Sequence, residues 1–215
     1  MRVFIKICGI TNQSDALLAV ALGADALGFV LAPSPRQVSP VRIAQILPQL
    51  PSGVRTFGVF RDELPERMAQ VLAETGLGGV QVHGQISNDG LAWLAERTPW
   101  VIRAVAAGSP EFDRAIEQPA WALLVDAASP GSGTVFDWSL VDGISPMRRL
   151  ILAGGLRPDN VRQAIETVMP FGVDVSSGVE ARPGHKDPIR LRQFIEAARG
   201  AAAALEGETD DHDRA

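Results

Sequence analysis

The chain's only cysteine, Cys8, closes the apolar run VFIKIC, and a glycine, Gly9, follows at once. Lys6 lies two residues earlier, so on an extended strand the amine and the thiol share a face. A neighbouring ammonium favours thiolate over thiol, and a thiolate at a strand end can serve as a base. Asp126 closes a second apolar run, WALLVD. Apolar surroundings would raise its pKa and hold its proton for donation. A base and an acid facing each other over one ligand would relocate a proton within a single substrate. Each residue also has a plainer reading. Free cysteines are commonly buried and inert, and an aspartate at a strand end can simply cap a loop.

Two further stretches suggest an anion. ILAGGLRPDN places Gly154 and Gly155 after an apolar run and Pro158 near the start of a helical pattern. DVSSGVE supplies Ser176, Ser177 and Gly178. Glycine lets a backbone approach phosphate oxygens without a Cβ in the way, and N–H groups at a loop or helix start can cradle them. Either stretch alone could be a tight turn without a ligand; the two together favour phosphate. Arg36, in APSPRQVSP, could form a bidentate pair with a substrate carboxylate or stand as a solvated loop arginine. His83 either orients a substrate hydroxyl or caps its strand, and capping is the reading preferred.

These residues need a scaffold that brings them together. Short apolar runs recur along the chain, at 3–8, 25–31, 54–60, 79–83, 100–105, 121–126, 149–154 and 172–177. Helical patterns such as SDALLAVALG, LPERMAQVLAETG and PDNVRQAIETV lie between them. Asp15 falls in a first turn, and Gly23 and Gly76 stand where helices should end. The segment around 137–143 is too short for a helix assignment. Eight strands with crossovers predict a single-domain α/β fold, a (β/α)₈ TIM barrel, over residues 1–205. An open doubly wound sheet is the competitor, but GITNQS after the first strand is not its glycine-rich phosphate loop. The acidic tail EGETDDHDRA, 206–215, is expected to be disordered. In such a barrel, chemistry belongs at the C-terminal strand ends, where Cys8, His83, Asp126, Gly154, Gly155 and Ser176 to Gly178 all fall. Alternation then puts Lys6, Gln81 and Asp174 in a polar layer just below. The first and eighth strands are neighbours in a closed barrel, so Lys6 and Asp174 are expected to pair.

Composition narrows the function classes. With a formal net charge of −5 and no basic stripe, the chain does not read as a nucleic-acid binder. No apolar run reaches the roughly 18 residues of a membrane span. MRVFIKIC is too short, and too interrupted by Lys6, for a signal peptide, and one cysteine makes no internal disulfide. A cytoplasmic location is expected. The histidines, at 83, 185 and 212, show no metal-ligand spacing, which counts against a metal without excluding ligands brought together by folding. Nothing in the sequence specifies an oligomeric state.

The segments KICGIT, GFVLAPSPRQVSP, FGVF, VQVHG, LLVDA, GSGTVFDW, LAGGLRPDNV and GVDVSSGVEARPGHKD occur in the order seen in the phosphoribosylanthranilate isomerases. The chain resembles that family from residue 4 to about 195. The resemblance implies a cofactor-free Amadori rearrangement in tryptophan biosynthesis, on a sugar-phosphate substrate. It implies Cys8 as base, Asp126 as general acid and Arg36 as the contact to the anthranilate carboxylate. Gly154, Gly155, Ser176, Ser177 and Gly178 would be the phosphate contacts. Two departures stand out: VQVHG where the family often has VQLHG, and Thr134–Val135 where it often has a basic residue before FDW. Alternatives outside this reading are a Schiff-base lyase using Lys6, and a barrel that binds sugar phosphates without turnover. A two-substrate isomerase that also acts on a histidine-pathway aminoaldose is a nearer variant, which Cys8 speaks against.

Overall fold

The computed structural model describes residues 2–127 and 137–212, with 206–212 as backbone only. Eight parallel strands close into a barrel in sequence order. They are β1 (Phe4–Cys8), β2 (Ala26–Val30), β3 (Arg55–Phe60), β4 (Gly79–Val82), β5 (Trp100–Ala106), β6 (Ala122–Asp126), β7 (Leu150–Leu152) and β8 (Gly172–Val175). All eight match the apolar runs of the sequence. Crossover strands buried on both faces must be apolar nearly throughout, which is why they read as runs rather than as alternations.

The helices are α1 (Gln13–Ala21), α2 (Pro40–Ile46), α3 (Pro65–Thr75), α4 (Asn88–Ala95), α5 (Phe112–Glu117), α6 (Val161–Val168) and α7 (Pro188–His212). Among the described residues between β6 and β7 there is a 3-10 turn, Trp138–Val141, and no α-helix. Local chemistry sets the boundaries. The Asn12 side chain accepts the Asp15 N–H at 2.9 Å, and Ser39 and Ser87 cap α2 and α4 in the same manner. Gly76 ends α3 in the left-handed conformation at φ 81°. α7 continues to His212, past residue 205 and into the acidic segment for which the sequence suggested disorder. Among the described residues no helix is long and apolar enough to cross a membrane.

Two apolar layers hold the barrel. Alternate strand residues turn outward; Ile5, Ile7, Leu27, Phe29, Val80, Val82 and Val173 pack against Ala16, Ile43, Met68, Leu91, Ile165 and Phe194 of the helices. The inward set, Phe4, Ala26, Phe57, Ile102, Ala104, Ala122, Leu124, Ile151 and Ala153, fills the interior. Its floor is aromatic. The Trp121 ring lies 5.1 Å from Trp100, 5.6 Å from Phe4 and 5.6 Å from Phe171, centroid to centroid. Arg55 covers this floor, its guanidinium 4.3 Å from the Trp100 ring centre. With the N-terminal end plugged, the other end is left for chemistry.

Candidate active site

The layer beneath the C-terminal mouth is ionic. Lys6 and Asp174 are register partners across β1 and β8, and Lys6 Nζ donates to Asp174 Oδ1 at 2.7 Å. The pairing expected from alternation is present. Gln81 is buried as expected, with its Oε1 unpartnered among the described residues. Burial by itself would lower the Lys6 pKa. The Asp174 carboxylate and Cys8 outweigh it, so the amine lies above the ordinary lysine value. An ammonium held this firmly is a poor nucleophile, which counts against the Schiff-base alternative.

Cys8 sits one step above Lys6 and retains 7% of its surface. Gly28 makes room for it: a Cβ there would lie 2.8 Å from Cys8 Sγ and 3.0 Å from Lys6 Nζ. Lys6 does favour the thiolate, as expected, but burial outweighs it. Desolvation pushes the Cys8 thiol up, Lys6 pulls it down, and Asp174 raises it again, leaving it above the ordinary value. Lys6 is shared with Asp174, so only part of its charge serves the sulfur.

Asp126 ends β6 half-buried, and its Oδ1 accepts the Ala127 N–H at 2.7 Å. Burial raises its pKa to about 6, with help from the nearby Asp174 charge; the Ala127 bond and Lys6 oppose the shift. A carboxyl at that value keeps a proton on roughly a tenth of molecules at pH 7. The same Lys6–Asp174 pair therefore tunes both Cys8 and Asp126.

Asp126 and Asp174 line one small cleft with Gly154, Gly155, Ser176, Ser177 and Gly178. Gly154, at φ 79°, packs so closely on the β6 end that a Cβ would meet Asp126 Oδ1 at 2.9 Å. The N–H groups of Gly154 and Gly155 donate to nothing among the described residues. The buried Ser176 Oγ likewise has no partner among them. Gly178 has a separate reason to be glycine, since any Cβ there would strike the Leu156 carbonyl. Cys8 is not a wall of this cleft. It adjoins it through Gly9, where a Cβ would lie 2.8 Å from Ser176 Oγ.

Arg36 also packs against Gly9, its Cδ 2.7 Å from where that Cβ would stand. Its guanidinium is held by Glu180, with Nε 2.9 Å from Oε1 and Nη2 2.8 Å from Oε2. The sequence reading missed this carboxylate, and with it the hairpin of β9 (Glu180–Arg182) and β10 (His185–Lys186). Lys186, also missed, is buried and donates to the Cys8 carbonyl at 2.6 Å and the Ser176 carbonyl at 3.2 Å. The available signal was charge clustered around a turn glycine in GVEARPGHKD. His83 continues the strand ladder through its own N–H, 3.0 Å from the Phe60 carbonyl. Its ring lines a different cleft, with Arg61 and Arg103. Burial, then Lys6, Arg61 and Arg103, lower its pKa to about 4, so it is neutral at pH 7. The Thr134–Val135 departure lies outside the described residues.

Residues 5–197 match the family model described as N-(5'phosphoribosyl)anthranilate (PRA) isomerase. The chain belongs to the PRA isomerase family. The isomerase of Desulforudis audaxviator is 47% identical over 204 residues, covering 92% of this chain and 98% of its own. Among solved structures, the phosphoribosyl anthranilate isomerase of Thermotoga maritima superposes with a TM-score of 0.86 at 45% identity, covering 92% of this chain and 99% of that one. Another isomerase, solved in complex with reduced 1-(o-carboxyphenylamino)-1-deoxyribulose 5-phosphate, has a TM-score of 0.82 at 44% identity, with coverages of 92% and 99%. This chain is therefore an isomerase of tryptophan biosynthesis, and its fold is the TIM barrel expected of a PRA isomerase.

Proposed function

We propose that the site performs the Amadori rearrangement of N-(5'-phosphoribosyl)anthranilate by general acid–base catalysis, with Asp126 as acid and Cys8 as base. Asp126 gives its proton to the ribose ring oxygen. The C1′–O4′ bond breaks toward that oxygen, and the anilino nitrogen's lone pair forms an iminium at C1′. The iminium acidifies the C2′ proton, which the Cys8 thiolate removes. The C2′–H electrons form the C1′=C2′ bond and neutralise the nitrogen. The resulting enolamine ketonises, losing its hydroxyl proton and gaining one at C1′, to give 1-(2-carboxyphenylamino)-1-deoxyribulose 5-phosphate.

The free N–H groups of Gly154 and Gly155, with Ser176, Ser177 and Gly178, would hold the phosphate, and Arg36 the anthranilate carboxylate. The substrate is a small sugar phosphate, and the reading calls on no cofactor. A cytoplasmic location fits a biosynthetic enzyme of this kind. What carries the assignment is the shared Lys6–Asp174 pair: it sits in electrostatic reach of both a strand-end thiol and a carboxyl held near pH 6. Positioned acid–base groups contribute about 10²–10⁴-fold each.

Asp126→Asn tests the reading. It should lose turnover by about that factor while binding the reduced product analogue nearly as tightly as the parent. Undiminished turnover would remove Asp126 from the mechanism; lost binding with unchanged kcat would recast it as a substrate contact.

A further inference from the structure

Among the described residues, the Glu180–Lys186 pair is a buried ionic group at the mouth that this mechanism leaves unused. Glu180 retains 4% of its side-chain surface and Lys186 none, while Arg36 retains 16%. Of the three, Arg36 is thus the one a ligand can reach. A guanidinium has five N–H donors on two usable edges. Glu180 takes the side edge, accepting from Nε and Nη2. The end edge, one hydrogen each from Nη1 and Nη2, has no partner among the described residues. A planar fork held on one edge by a carboxylate can offer the other edge to a second carboxylate in fixed orientation.

Lys186 shows the opposite balance. Its ammonium has three hydrogens, and Cys8 O, Ser176 O and Glu180 Oε1 account for three acceptors, at 2.6, 3.2 and 3.1 Å. No donor remains for a substrate. The β1–β8 ladder ends at Ile7 and Val175. Lys186 bridges the carbonyls of the next residues, Cys8 and Ser176, and so carries the seam past its last register pair. The hairpin delivering it is itself pinned to the first crossover: the Lys186 N–H donates to Asp15 Oδ2 at 2.8 Å and Thr11 Oγ1 to the Gly184 carbonyl at 2.5 Å.

We propose that Glu180 and Lys186 are the positioning residues of this site: Glu180 aims the free edge of Arg36 at the substrate carboxylate, and Lys186 fixes the strand end that carries Cys8. The proposal rests on the roles given above to Arg36 and Cys8. It makes one buried carboxylate the joint between recognition of the anthranilate ring and placement of the base. Lys186 also adds positive charge that favours the thiolate.

Calorimetry with two probes tests the Glu180 arm: the reduced product analogue, and its counterpart lacking the carboxyl group. Glu180→Gln should bind the first about tenfold more weakly and the second as the parent does, with KM raised and kcat within about threefold. Unchanged binding of both, or equal weakening of both, overturns this arm. Should Glu180→Gln fail to fold, Glu180→Asp keeps the charge, shortens the reach, and carries the same comparison. For Lys186, the rate of Cys8 alkylation by iodoacetamide is followed against pH. Lys186→Met should move the profile to higher pH and lower kcat, and Lys186→Arg should restore it in part; an unmoved profile in Lys186→Met overturns this arm. Arg36→Met and Cys8→Ala act as controls on the underlying roles. If either behaves as the parent, those roles fail; if both are impaired while the Glu180 and Lys186 variants are silent, only the present proposal fails.

Discussion

The two ends of the barrel are built from opposite materials. At the N-terminal end Trp121 packs on Phe4, Trp100 and Phe171, and Arg55 and Arg149 lie over the rings. Those cations face aromatic surfaces and solvent, and the carboxylate at that end, Asp25, keeps 15% of its side-chain surface and pairs with the partly exposed Arg2 and Arg199. At the C-terminal end, Lys6, Asp174, Glu180 and Lys186 are all buried and joined in short ion pairs. Each buried charge there costs desolvation that its partner only partly returns. The floor is made of interactions that stabilise without chemistry. The mouth is made of interactions that add little net stability and shift the pKa values of Cys8 and Asp126 upward. The contrast assigns stability to one end and function to the other.

The largest stability effect is expected at the floor. Trp121→Ala removes the ring on which four others pack, Phe4, Phe57, Trp100 and Phe171, and should cost about 3–5 kcal/mol in urea unfolding. The folded fraction should keep kcat and KM within about twofold. A comparable loss of kcat would break the division between the ends. A smaller effect of opposite sign belongs to the mouth. The folded-state pKa of Asp126 is about 6, above its ordinary value of 3.8, so the folded state binds the proton more tightly. Stability from this group is present below pH 4 and lost as pH rises through 6. Asp126→Asn should therefore be more stable than the parent at pH 7, by roughly 1–3 kcal/mol, and no more stable at pH 3.5. Equal melting temperatures at pH 7 would contradict the raised value. The smallest effect sharpens the comparison. Met169, exposed at the C-terminus of α6, is the described non-glycine residue with positive φ, at 47°. It lies far from the chemistry by this account. Met169→Gly should add about 0.5–1 kcal/mol in thermal melts without changing turnover.

The strands were legible because their signals are local. An apolar run such as ALLV, bounded by polar residues, announces a buried crossover strand wherever it lies. Period-2 alternation carried one step further to the Lys6–Asp174 pair, since neighbouring strands of a closed barrel must share a register. Cys8 and Asp126 were legible as strand-end residues of the wrong type for packing. The raised pKa of Asp126 was legible too, from its apolar surroundings; the protonation of Cys8 was not, because it depends on how far burial outweighs Lys6, and Lys6 is shared with Asp174. Glu180 and Lys186 were missed for a related reason. Their partners, Arg36 and the Cys8 carbonyl, are 144 and 178 residues away, and only the fold-back of a short hairpin brings them together. Gly28 was silent too, since its purpose is the space it leaves for sulfur and ammonium on the next strand.

The central claim is that a thiol at the end of β1 does the proton abstraction. The most direct measurement is the decay of substrate anthranilate fluorescence after adding Cys8→Ala, at saturating substrate and with folding checked by circular dichroism. The account predicts a native spectrum and a rate at least about 10²-fold below the parent. A native Cys8→Ala protein that turns over substrate at the parent's rate would contradict it.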